Sequence, residues 1–106
     1  MAFVFEYVDL TSRDMGCGTW CEHQRALLGR LVSGRIGLGD AVVLSTVAGA
    51  AVTGHVGRFT ESFSDWLGLP FYDSLTPATM RGAFCLCVGG IPADVEVVCP
   101  GTAKSE

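Results

Sequence analysis

At 106 residues, 49% hydrophobic and 17% charged, the chain has the length of one domain and too much apolar content for a disordered one. Its net charge of −4, with six arginines and a single lysine at Lys104, excludes a broadly basic surface built for non-specific nucleic-acid binding. No apolar run approaches the ~18 residues of a membrane-spanning helix.

The N-terminus, Met1-Ala2-Phe3-Val4-Phe5-Glu6, has neither the basic start nor the small-residue cleavage site of a secretory leader. A cytoplasmic protein is therefore expected, with no membrane association. Five cysteines fit that reading as reduced thiols, because an odd number cannot pair completely within one chain.

In chain order, Phe3 to Leu10 is rich in β-formers and reads as a first strand. Thr11 to Gln24 is a polar, glycine-bearing loop that holds Cys17, Cys21 and His23. Ala26 to Val32 is a second strand, followed by a reversal at Ser33-Gly34 and a turn at Gly37-Leu38-Gly39-Asp40. Ala41 to Val47 and Ala51 to Phe59 form a hairpin about Ala48-Gly49-Ala50. Phe84, Leu86 and Val88 alternate with Cys85 and Cys87, which places the three larger apolar residues on one face. Val95, Val97 and Val98 read as a last short strand ending at Pro100-Gly101, and Thr102 to Glu106 as a flexible tail. The domain is expected to span residues 1–101.

Thr60 to Arg81 breaks this rhythm. Thr60 can cap a short helix with Phe63, Trp66 and Leu67 on one face, stopped by Gly68 and Pro70. The rest of this long insertion carries Leu69, Phe71, Tyr72, Pro77 and Met80. Four of the ten aromatics of the chain lie here, which argues for an ordered segment packed on something. Six short strands at close spacing then predict an all-β fold, a small closed six-stranded barrel that leaves no exposed sheet edge. Gly34, Gly39 and Gly90 fall where the chain must reverse through positive φ.

Leu27-Leu28-Gly29-Arg30-Leu31-Val32-Ser33-Gly34-Arg35-Ile36-Gly37-Leu38-Gly39-Asp40-Ala41-Val42 resembles, without a gap, the second, β-barrel domain of the translation GTPases, elongation factor Tu and its relatives. Thr53-Gly54-His55-Val56 looks like the fourth-strand segment of that family. Arg81-Gly82-Ala83-Phe84-Cys85-Leu86-Cys87-Val88-Gly89-Gly90-Ile91, with Asp94-Val95 after it, looks like a later one. The resemblance covers most of residues 3–101 and implies a stand-alone barrel of that type. In the family this barrel docks on the GTPase domain and helps hold the aminoacyl end of a transfer RNA or a ribosomal surface. The matched residues here are structural ones, so no family binding residue carries over. The chain has no Gly-x-x-x-x-Gly-Lys-Ser/Thr phosphate loop, and Gly34 to Gly39 reads as turns between strands.

Candidate chemistry is sparse. Cys17, Cys21 and His23 offer zinc-type ligands, but at C-x3-C-x-H spacing and needing a fourth ligand from Cys85, Cys87 or Cys99; a polar loop with two incidental thiols is the plainer account. Cys85 and Cys87 read as small half-buried hydrophobes or as a thiol pair, and His55 as a surface or rim histidine. Glu61, Asp65 and Asp73 show no spacing that predicts converging carboxylates. No catalytic residue is assigned and no cofactor is expected beyond possible zinc. The favoured function is a non-enzymatic binding module for a protein partner or for self-association, through Phe63, Trp66, Leu69, Phe71 and Tyr72. The alternatives are RNA or ribosome contact through Arg30, Arg35, Arg58 and Arg81, and a zinc- or thiol-based metal or redox protein.

Overall fold

The computed structural model describes residues 2–11, 25–60, 74–80 and 84–106. Among them eight strands and no helix are found: β1 (Phe3–Thr11), β2 (Arg25–Gly34), β3 (Ile36–Gly37), β4 (Ala41–Ser45), β5 (Ala51–Thr60), β6 (Ser74–Leu75), β7 (Phe84–Gly89) and β8 (Gly101–Ser105). Six of them close into an antiparallel barrel in the order β1-β2-β7-β5-β4-β8, and β3 pairs with β6 in a separate two-stranded sheet. The meander β4-β5-β7 comes back to lie beside β2, a Greek-key arrangement. The short helix expected within 60–81 falls outside the described residues.

The interior follows from alternation. Phe84, Leu86 and Val88 of β7 are fully buried, as the pattern predicts, and they meet Phe3, Phe5 and Tyr7 of β1, Leu27 and Leu31 of β2, Val42 and Leu44 of β4, and Val56 and Phe59 of β5. Burying each such side chain is worth about 1.5–3 kcal/mol. Ile36 and Leu75, opposite each other in the small sheet, join the same core. Gly34, Gly39 and Gly90 adopt φ of +80°, +83° and +86°, the reversals expected of them.

Two readings of the C-terminal third are corrected. The end of the chain is not a frayed tail: Gly101–Ser105 is β8, which pairs with β1 through Phe5↔Ala103 and with β4 through Val43↔Lys104. It is the stave that seals the barrel. Val95 to Val98, in contrast, is not a strand. Val97 makes a single bridge to Thr46, and the carbonyls of Ala93 and Val95 are taken by the guanidinium of Arg25 instead of by a ladder. Arg25 shares the inward phase of Leu27 and is itself buried; hydrogen bonds from a charged donor to main-chain carbonyls offset its desolvation.

Tyr7 ties the same region down. Its hydroxyl donates to the carbonyl of Val98 at 2.9 Å, and burial, with a further push from Cys99, raises its pKa to about 12. Gly101 permits this approach, because a Cβ there would lie 2.5 Å from the Tyr7 hydroxyl.

Candidate functional site

The outer face of β1 and β2 is the most irregular surface of the barrel. Their ladder runs Val4↔Ser33, then Phe5↔Leu31, so Val32 is left unmatched on β2; it runs Tyr7↔Gly29, then Asp9↔Leu28, so Val8 is left unmatched on β1. Each is a β-bulge, which bends a strand and re-aims a side chain. The unmatched residues are valines in the outward phase of Glu6 and Arg30: Val8 is 65% and Val32 42% exposed. Between them Glu6 pairs with Arg30 across the ladder, with the Nε of Arg30 3.6 Å from a carboxylate oxygen. Both side chains are more than half exposed, so this pair adds little to stability.

A groove of about 890 Å³ lies over this face. Pro77 and Met80 form one wall and Pro100 and Thr102 the other. Pro77 and Met80 belong to the described end of the insertion, where a turn is held by the N–H groups of Thr79 and Met80 donating to the carbonyl of Thr76. Met80 also packs on the core, and its sulfur accepts from the N–H of Leu31. At Gly29 a side chain is impossible: a Cβ would sit 1.9 Å from the carbonyl oxygen of Glu6. That close approach brings β1 onto β2 between the two bulges.

The residues singled out from sequence are distributed as follows. Phe63, Trp66, Leu69, Phe71 and Tyr72 lie outside the described residues, as do Cys17, Cys21, His23 and Arg81. Arg58 is described by its backbone alone, opposite Cys87. Arg30 is engaged with Glu6, and Arg35 donates to the hydroxyl of Ser74 at 3.0 Å. His55 is exposed, as expected for a surface histidine. Cys87, read as half-buried, is fully buried although it alternates with the inward residues of β7; the outer side of β7 at that point is covered. Cys99 is exposed. Partial burial pushes its thiol pKa up, a main-chain hydrogen bond with Leu10 opposes the rise, and the Asp9 carboxylate adds to it. A thiol raised in this way is a poor nucleophile at neutral pH.

Among the described residues, no group of three or more His, Cys, Asp or Glu side chains could hold a metal ion, and no helix is long and apolar enough to cross a membrane. The glycine-rich turn is committed to the fold. The N–H of Gly37 donates to the Asp40 carboxylate at 2.7 Å, and that of Gly39 to the carbonyl of Val56 at 2.8 Å.

Sequence reasoning missed Arg25, Val8 and Val32. Arg25 had a signal, since its two-residue phase with Leu27 points it inward. The valines had the same kind of signal, standing in the outward phase of Glu6 and Arg30, but valine is also the residue type that a buried face takes. No protein-family profile matches the chain, and no curated protein is detectably similar to it in sequence.

Proposed function

We propose that this protein is a non-enzymatic binding module, a barrel of the kind that forms the second domain of the translation GTPases, and that it holds a protein partner on the outer face of β1 and β2. Support for the ancestry comes from three sequence segments in the family's order. They fall on β2 through β4, on β5 and on β7, and of these strands β2, β4, β5 and β7 belong to one closed barrel; the Gly37–Asp40 turn uses its matched residues as turn builders.

The observation that carries the binding function is the groove. Two exposed valines stand along it, each unmatched at a bulge, and Pro77 and Met80 bring the end of the insertion to its wall. Exposed aliphatic side chains along a groove suit a protein surface better than a phosphate backbone. The net charge of −4 gives less support to an RNA reading.

The test is differential. Proteins co-purifying with the wild-type chain are compared with those retained by Val8→Asp and by the double variant Trp66→Ala, Tyr72→Ala, each verified as folded by circular dichroism. A partner, or a second copy of the chain, held by the wild type and lost from both variants is expected. Identical retention by all three would refute the assignment.

A further inference from the structure

We infer that the occupant of the β1–β2 face is a second copy of this chain, packed about a two-fold axis that lies between the two strands. This rests on reading that face as a protein-binding surface, and it names the partner.

The argument is one of self-complementarity. A two-fold interface brings the same patch of both subunits together, so a residue i that meets j is matched by j meeting i. A patch suits this when it carries its own complement, and this one does. Glu6 on β1 and Arg30 on β2 are directly opposed, one of each charge. An axis parallel to the strands and between them sets Glu6 of one copy over Arg30 of the other, and the reverse, giving four alternating charges. Arg30 and Glu6 are free to exchange partners, because their own pair is long, at 3.6 Å, and exposed.

The same axis places the apolar groups. Two residues beyond Glu6 on β1 stands Val8, and two residues beyond Arg30 on β2 stands Val32, each at a bulge and each turned to solvent. In the paired arrangement Val8 of each copy enters the groove of the other beside Leu28, which lines it. Burial of the valines supplies the attraction, and the charges fix the orientation. An axis perpendicular to the strands would instead set Glu6 against Glu6 and Arg30 against Arg30. The pattern therefore selects one dimer over its rotated alternative.

The experiment is sedimentation velocity on the full chain over a concentration series, for the wild type, Glu6→Arg, Arg30→Glu and an equimolar mixture of the two variants. The wild type is expected to dimerise. Each variant alone sets like charges against each other twice, which should weaken dimerisation by more than about tenfold. In the mixture, Arg at position 6 meets Glu at position 30 and Glu6 meets Arg30, so dimers return.

Circular dichroism confirms that each variant is folded, and variants that fail this check are replaced by Glu6→Lys and Arg30→Asp. A monomeric wild type, dimers that survive both substitutions, or a mixture that stays monomeric would each overturn the inference. If the chain is monomeric yet another protein still depends on Val8, the binding function stands and only the identity of the partner is wrong.

Discussion

Two hairpin-like ladders of this barrel share an architecture and differ in regularity. β4 and β5 pair without a break from Ala41↔His55 to Ser45↔Ala51 and turn through Gly49 at φ +90°. β1 and β2 are interrupted twice in eight paired positions. The regular ladder alternates as a barrel wall should, with Val42 and Leu44 inside and Ser45 outside. The bulged ladder leaves two outward valines unmatched on either side of a charge pair. Bulges in a β-sheet recur beside functional surfaces, and the bulged wall is the one on which the binding proposal rests; β5 carries a bulge of its own only against β7, between Val56 and Arg58.

That contrast can be broken most forcefully from inside. Phe84→Ala, in the interior shared by both ladders, should lower stability by about 3–5 kcal/mol in urea unfolding. A loss below ~1 kcal/mol would mean that β7 does not line a packed core. Next comes the contact peculiar to the irregular side. Gly29→Ala sets a Cβ against the main chain of Glu6, where no flexible side chain can yield, and should cost about 1–3 kcal/mol. Ala48→Gly, at an exposed position of the regular hairpin, should stay within ~0.5 kcal/mol of wild type. Equal losses at the two sites would erase the comparison.

Arg25→Met removes both hydrogen bonds to Ala93 and Val95 and should cost about 1.5–3 kcal/mol in the same assay. Faster amide exchange through 91–98 should accompany it.

Tyr7→Phe is a smaller change, about 1 kcal/mol for the bond to Val98, and it carries a pH signature. The folded-state pKa of about 12 lies above the unfolded value of 10, so the folded protein keeps the proton longer. The corresponding stability is complete below pH 10 and is lost as pH rises from 10 through 12. Wild type minus Tyr7→Phe should therefore show a stability difference that is flat to pH 9 and shrinks above pH 10. A flat difference across that window would contradict the buried, hydrogen-bonded hydroxyl. Glu6→Gln, in an exposed ion pair, should change the stability of a single chain by at most about 1 kcal/mol, and by less in high salt.

Much of the scaffold was legible because it rests on short-range chemistry. Phe84, Leu86 and Val88 announced an inward face by alternation, and Gly34, Gly39 and Gly90 announced reversals by type. β8 was not legible: Gly-Thr-Ala-Lys-Ser has little β-propensity, and only Ala103 packs inward, fully buried where β1 and β4 supply the partners. Tertiary pairing overrode local preference there. The reverse occurred at Val95 to Val98, where β-branched residues promised a ladder but a buried arginine took the carbonyls. Of the candidate site, only its Pro77 and Met80 wall was foreshadowed, as part of the insertion. Bulges are decided by register between strands, and register is not written in either strand alone.

The comparison between the two walls is tested most directly by following backbone amide resonances of the wild-type chain through a dilution series. Concentration-dependent shifts are expected at residues 6–8 and 28–32 and along the groove walls at 77–80 and 100–102, with the β4–β5 hairpin unchanged. Shifts centred on residues 46–52, or a spectrum unaltered by dilution while the chain remains monomeric, would contradict the account.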